Sequence, residues 1–210
     1  PDGRYIAFNM TGPPKWKSSA ALWDLRRKKV VQVARDFCFW DFHPKEPRLL
    51  GWLEDRVAEV EFDGSHVRIL FQGETLFAKW RPDGRCLAAV RFQRERWNLV
   101  LLDRSGKLLR TLLSWASPRD KAGGGLSWSP DGRVLALSRH DKSGIGIYLV
   151  NATNGKSQRV ADGGHPCWSR DGRYLAYTRV DRRNLVHELW VAQVSNWESR
   201  RVSLPTPGAG

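Results

Sequence analysis

Trp128-Ser-Pro-Asp-Gly-Arg133-Val-Leu-Ala-Leu-Ser138 is the stretch on which the fold turns. Proline presets φ at the first turn position. Asp takes the second and bonds its own backbone, and Gly supplies the left-handed residue of a bulged hairpin. An apolar strand ending at Trp128 is thereby reversed into a second one beginning near Val134. Both are apolar on two faces, as strands sandwiched between neighbouring sheets must be.

The stretch recurs upstream as Trp80-Arg-Pro-Asp-Gly-Arg85-Cys-Leu-Ala-Ala-Val90 and downstream as Trp168-Ser-Arg-Asp-Gly-Arg173-Tyr-Leu-Ala-Tyr-Thr178. The chain opens inside the same motif, Pro1-Asp-Gly-Arg-Tyr-Ile-Ala-Phe8. A decayed copy, Phe42-His-Pro-Lys-Glu-Pro-Arg48-Leu-Leu-Gly-Trp52, has Lys45 in place of Asp and reads as one residue longer. The Asp-equivalent positions 2, 45, 83, 131 and 171 are 43, 38, 48 and 40 residues apart. That spacing is the blade period of a β-propeller.

Each copy continues in the same order. A second apolar strand follows: Leu22-Trp-Asp-Leu25, Val57-Ala-Glu-Val-Glu-Phe62, Leu99-Val-Leu-Leu102, Ile147-Tyr-Leu-Val150 or Leu189-Trp-Val191. Turns such as Asp63-Gly64, Ser105-Gly106 and Asn154-Gly155 lead to a last short strand. The unit is four strands, A to D, joined by hairpins. The expected fold is all-β: one propeller domain over residues 1–204, with blades at 1–37, 38–74, 75–124, 125–163 and 164–204. Residues 205–210 read as a linker. The first blade should lack its inner strand A, and five blades of this kind are expected to be part of a six-bladed or larger ring.

The repeated Trp-Ser-Pro-Asp-Gly-Arg-Tyr-Leu-Ala pattern resembles the propeller repeat of TolB-like proteins, over essentially the whole chain. A related repeat is found in the propellers that shield prolyl-oligopeptidase-type peptidases. The resemblance implies a periplasmic or secreted, non-catalytic scaffold that docks a protein or an anionic polymer, with nucleic acid less favoured. The alternative it carries is a substrate-filtering propeller of a hydrolase whose catalytic domain lies outside these residues.

The chain carries 35 Lys+Arg against 22 Asp+Glu, a net charge of +13. The five B–C loops (9–19, 53–56, 91–97, 139–145 and 179–185) hold +6 of that excess in 36 residues. They define a basic rim at one end of the blades, with tryptophans interleaved. The candidate partner-binding residues are Lys15, Trp16, Lys17, Arg94, Arg96, Trp97, Lys142, Arg182 and Arg183. Trp115 joins them from a long D–A loop, 114–125, that also holds Arg119 and Lys121. Trp and Arg are the residue types that dominate binding hot spots. The bland reading is that each loop Trp folds back on its own blade and the charges are merely solvated.

Other features read as framework. Trp23, Trp52, Trp80, Trp128, Trp168 and Trp190 occupy repeat positions and are expected in the core. Lys28, Lys29, Arg68, Arg110, Arg159 and Arg200 are expected to blunt the outer sheet edges. Asp2, Asp83, Asp131 and Asp171 serve turns, being too dispersed to share a metal ion. Cys38, Cys86 and Cys167 show no metal or redox spacing and are expected to be free thiols packed as small hydrophobes. Neither Gly-x-Ser-x-Gly, His-Glu-x-x-His, a P-loop nor Gly-x-Gly-x-x-Gly occurs, so neither catalysis nor a cofactor is expected. The five histidines fall on different blades; His140 and His165 reach toward the basic rim.

Overall fold

The computed structural model describes residues 3–12, 17–116, 123–181 and 186–202, all of them strand, turn or irregular. The chain divides into two compact units, Pro1–Ala116 and Ser117–Gly210. Three blades fall in the first. They are β1 (Tyr5–Gly12), β2 (Lys17–Asp24) and β3 (Lys29–Ala34); β4 (Phe37–Phe42), β5 (Arg48–Leu53), β6 (Arg56–Glu61) and β7 (Val67–Gln72); and β8 (Thr75–Trp80), β9 (Cys86–Gln93), β10 (Arg96–Asp103) and β11 (Leu108–Trp115). Two fall in the second: β12 (Leu126–Trp128), β13 (Val134–Asp141), β14 (Gly144–Asn151) and β15 (Ser157–Asp162); then β16 (Gly164–Trp168), β17 (Tyr174–Asp181), β18 (Val186–Gln193) and β19 (Ser199–Arg201). Every sheet is antiparallel and meandering, as successive hairpins require. The first has three strands, β1-β2-β3, and lacks strand A as the sequence predicts; the others have four.

The repeated turn explains its own sequence. Ser129 N–H donates to Val134 O at 2.8 Å, and Gly132 N–H to Ser129 O at 2.8 Å. The Ser129 hydroxyl donates to Asp131 Oδ1 at 2.6 Å and accepts the Val134 N–H at 2.9 Å, while Asp131 also takes the Arg133 N–H at 3.0 Å. Ser169, Asp171 and Arg173 repeat the arrangement. Gly132 and Gly172 have φ of 67° and 71°, a region that penalises any Cβ. In the decayed copy His43 N–H bonds Arg48 O at 2.9 Å, the same five-residue step. No residue is therefore extra, which corrects the sequence reading: Arg48 matches Val134. His43 Nδ1 receives the N–H groups of Lys45 and Glu46 at 3.3 and 3.0 Å, and the Arg48 N–H, whose counterpart the serine hydroxyl takes, bonds Glu46 O at 2.8 Å. Burial lowers the pKa of this imidazole, which favours the neutral form that can accept.

The turn sets the strand register, and the register sets the core. The last aromatic of each inner strand faces a leucine of the next: Phe42↔Leu49, Trp80↔Leu87, Trp128↔Leu135 and Trp168↔Leu175. All four leucines are 0% exposed, each contributing about 1.5–3 kcal/mol by burial. Apolar clusters fill the space between consecutive sheets. Leu22, Val33, Phe37 and Leu49 join the first and second blades; Leu50, Trp80, Leu87 and Leu102 the second and third; Ala136, Ile147, Leu175 and Tyr177 the fourth and fifth. Trp80 and Trp128 are buried, and Trp23, Trp52, Trp168 and Trp190 are half-buried. All three cysteines are free thiols. Cys86 packs as expected, but Cys167 is exposed, because the alternation that turns Pro166 inward turns Cys167 out.

Two predictions follow from the turns. Gly132→Val should lower stability by about 2 kcal/mol and Gly132→Asn by less, because a β-branched residue tolerates left-handed φ worst; chemical denaturation measures both. Asp24 ends β2 with its carboxylate held by the Arg4 guanidinium at 2.8 Å and by the N–H groups of Arg26 and Arg27. These contacts, led by Arg4, lower its pKa from 3.8 to about 2. A depressed folded-state pKa gives stability that is fully present above the unfolded value and is lost on acidification through the folded one. Melting curves across pH 5 to 2 should fall less steeply for Asp24→Asn than for the unaltered chain.

Candidate binding cleft and basic loop ends

In the second unit the B–C ends of the fourth and fifth blades enclose a cleft of about 930 Å³. On the fourth blade, β13 and β14 meet in a two-residue turn, with Asp141 paired to Gly144 and Asp141 Oδ1 accepting the Ser143 N–H at 2.7 Å. Lys142 sits exposed on that turn. Behind it lies an ionic network. The Tyr148 hydroxyl donates to Asp141, Arg159 spans Asp141 at 3.3 Å and Asp162 at 2.6 Å, and the Arg139 guanidinium lies 3.9 Å over the Tyr148 ring. The Tyr148 bond holds the Asp141 carboxyl below its ordinary range. Arg159 fits because Gly146 lacks a side chain: a Cβ there would stand 2.4 Å from its Nε. Arg159 thus braces the cleft residue Asp162 from behind and is not simply a guard of the outer edge.

The fifth blade supplies the opposite wall. Arg179 stacks 4.5 Å from the Trp190 ring, and the Trp190 indole N–H donates to Glu188 at 3.0 Å. Arg201 holds the other Glu188 oxygen at 2.7 Å and, with that indole, lowers its pKa. The crossing from β15 to β16 runs between the walls. Gly163 passes so near β17 that a Cβ would stand 2.4 Å from Thr178 O. His165 follows at φ 52°, its N–H bonded to Gly124 O at 2.6 Å and its Nδ1 3.1 Å from the Thr178 hydroxyl. That hydroxyl reaches Gly164 O at 3.2 Å, so it accepts from Nδ1–H and leaves Nε2 as the acceptor of the neutral ring. His140 and His187 complete the lining. Among the described residues no three His, Cys, Asp or Glu side chains converge to hold a metal ion.

Asp141, Asp162 and Glu188 are all engaged by arginines, so the cleft meets a ligand chiefly with imidazoles, hydroxyls and the Arg179 guanidinium. His140 and His165 were legible in the sequence as rim residues. Arg179, His187 and Trp190 were not assigned to a site. The signal that finds them is the β17–β18 register, which sets Arg179 opposite Glu188 and Tyr177 opposite Trp190.

The other candidates are dispersed. In the first unit Arg94 and Arg96 share the exposed β9–β10 hairpin end. Arg94 and Glu95 both adopt left-handed φ, 51° and 59°, the pattern of a type I′ turn made without Gly or Asn. Arg96 Nε donates to Ser114 Oγ at 2.9 Å. Trp97 and Trp115 correct the loop assignment: they are 2% and 5% exposed and sit opposite each other in β10 and β11. Trp97 packs edge-to-face on Phe92, centroids 5.1 Å apart. Strand β11 runs on to Trp115, past the expected loop start, and its alternation turns both indoles inward. Lys17 opens β2. Lys15, Trp16, Arg119, Lys121, Arg182 and Arg183 lie outside the described residues.

No protein-family model matches the chain, and no curated protein matches it. Solved structures do. It is similar to TolB from Acinetobacter baumannii, at 14% identity and TM-score 0.62 over 96% of this chain and 58% of that one. A putative TolB from Agrobacterium tumefaciens matches at 18% identity and TM-score 0.71, over 90% and 70%. A chain of a nidogen/laminin complex matches at 12% identity and TM-score 0.70, over 92% and 73%. The fold is that of a β-propeller, with TolB among its structural neighbours. The chain spans little more than half the length of the Acinetobacter protein.

His165 offers a direct test of site strain. A non-glycine residue at left-handed φ costs about 1–2 kcal/mol, and the imidazole is exposed. His165→Gly should therefore melt at or above the temperature of the unaltered chain, and His165→Val clearly below it.

Proposed function

We propose that this chain is a non-catalytic binding module of the TolB-like kind, working in the periplasm or outside the cell. The B–C ends of its blades dock an acidic segment of a protein partner. The observation that carries this reading is the cleft whose lining carboxylates, Asp162 and Glu188, are already paired with Arg159 and Arg201. What remains to meet a partner there includes the Arg179 guanidinium, the His140 and His187 imidazoles and the Ser143 hydroxyl. Lys142, exposed on the β13–β14 turn beside it, adds attraction over the approach. Arg94 and Arg96 add exposed positive charge at the corresponding hairpin end of the third blade. Trp97 and Trp115 have no part in this reading, since both are core. No helix among the described residues is long and apolar enough to cross a membrane.

Binding of a polyglutamate probe tests it. Affinity should fall steeply with salt, because exposed charges lose reach beyond a Debye length of about 8 Å at 0.15 M. Replacing Arg94, Arg96, Lys142 and Arg179 with Ser should weaken binding far more than replacing Lys28, Lys29, Arg110 and Arg200. Equal losses from the two sets would show only the diffuse net charge of +13 at work. Tighter binding of heparin than of polyglutamate would redirect the reading to an anionic polymer. A Gly-x-Ser-x-Gly domain joined to this chain in the whole protein would favour the substrate-filtering alternative.

A further inference from the structure

The cleft between the fourth and fifth blades carries more than charge. Two large apolar side chains, Ile145 and Trp190, share its lining with the imidazoles and Arg179. Strand alternation sets them on facing walls. On β14, Ile145 lies two residues before Ile147, which is 0% exposed and packs with Leu175 and Tyr177 of the fifth blade. Ile145 therefore turns toward the fifth blade as well, at the end of the strand where that packing stops. On β18, Trp190 faces back and is partly buried against the same cluster.

A lone exposed aliphatic residue is ordinary on a protein surface. Val30, Val67 and Leu108 are such residues, on the outer strands β3, β7 and β11. Ile145 is 47% exposed inside a concavity, with an indole on the opposite wall and His140, Ser143 and Arg179 around it. An apolar centre within a polar rim is the layout of an interface core. The crossing between the walls keeps that centre open. A Cβ at Gly164 would fit, 3.7 Å from Gly124 O, and would stand 3.9 Å from Ile145 Cγ2. Glycine leaves that methyl bare. On the far wall the Arg179 guanidinium lies 4.5 Å from the Trp190 ring, so positive charge and aromatic surface sit side by side.

We propose that the cleft selects its acidic segment by one large apolar side chain set among the carboxylates. That side chain seats on Ile145 in the wedge between the blades, and the flanking carboxylates meet Arg179 and Lys142. The inference rests on the docking role proposed above and names the chemistry of the partner. Charge draws acidic chains in from a distance without telling one from another, while the desolvated apolar contact discriminates among them.

The test uses this chain and two end-capped peptides of equal charge, Glu-Glu-Leu-Glu-Glu and Glu-Glu-Ser-Glu-Glu, titrated by calorimetry at low and moderate salt. The leucine peptide should bind about tenfold more tightly, the gain expected from burying one such side chain. Added salt should weaken both peptides and leave their ratio unchanged, because ions screen the charges and not the apolar contact. Ile145→Ser should bring the leucine peptide down to the affinity of the serine peptide and leave the serine peptide as it was. Ile145→Leu should keep the preference, and Leu108→Ser, on an outer strand, should alter neither affinity. Equal affinities that both fall with salt overturn this inference and leave the acidic-segment reading standing. Failure of both peptides to bind at low salt overturns the two together. A leucine preference that survives Ile145→Ser puts the apolar contact elsewhere and likewise overturns the inference.

Discussion

An aromatic ring at the end of one strand, pressed on a leucine of the next, is the contact on which these blades depend. It recurs four times, as Phe42, Trp80, Trp128 and Trp168 on Leu49, Leu87, Leu135 and Leu175. The intervening turn has one permitted length, because a shift of one residue would move every core side chain to the other face of the sheet. Serine, Asp and Gly maintain that length through one hydroxyl, one carboxylate and one left-handed residue. Strand B then runs eight residues from Val134 to Asp141, which carries the B–C turn about 26 Å from the A–B turn. The cleft stands where it does because these strands have that length.

The decayed copy shows how much of the motif is replaceable. His43 stands where the serine does but anchors the turn by other bonds, its Nδ1 taking the Lys45 and Glu46 N–H groups, and it is 1% exposed, edge-to-face on Trp80 with centroids 4.8 Å apart. Its hydrogen-bond role requires a neutral ring, and burial works in the same direction. Arg81 in the third blade omits the side-chain acceptor altogether, and the backbone bonds persist: Arg81 N–H to Cys86 O at 2.9 Å and Gly84 N–H to Arg81 O at 2.8 Å. Backbone pairing and the buried leucine therefore carry the turn, and the polar side chains refine it.

Irregularity is concentrated at the loop ends. Arg94, Glu95 and His165 hold left-handed backbone without being glycine, and the neighbouring Gly163 lets the chain pass against β17. Strain of this kind persists only where the surrounding structure enforces it, and it collects at binding sites more than elsewhere. The cleft's carboxylates are meanwhile bound into arginine pairs along its walls. The Arg179 guanidinium and the Ser143 hydroxyl are left along the opening, which is the basis for reading it as a surface that receives acidic groups.

The amino-acid sequence by itself determined the blades. Four spaced copies of a turn with a left-handed glycine, and a fifth without it, dictate hairpins and a period of about 40 residues, all through local chemistry. Turn length was harder to read in the copy without Gly, where only the bond from His43 to Arg48 shows that nothing is inserted. The side on which a residue falls near a strand end was also beyond the sequence. Trp97 and Trp115 look like loop residues until β10 and β11 are seen to extend far enough to pair them. The cleft belongs wholly to the tertiary structure. Asp162, Arg179 and Glu188 come from different strands, and Gly146 matters only because an arginine from a neighbouring strand lies across it. Local sequence specifies where a strand turns; contacts between strands and blades decide which charges remain available to a partner.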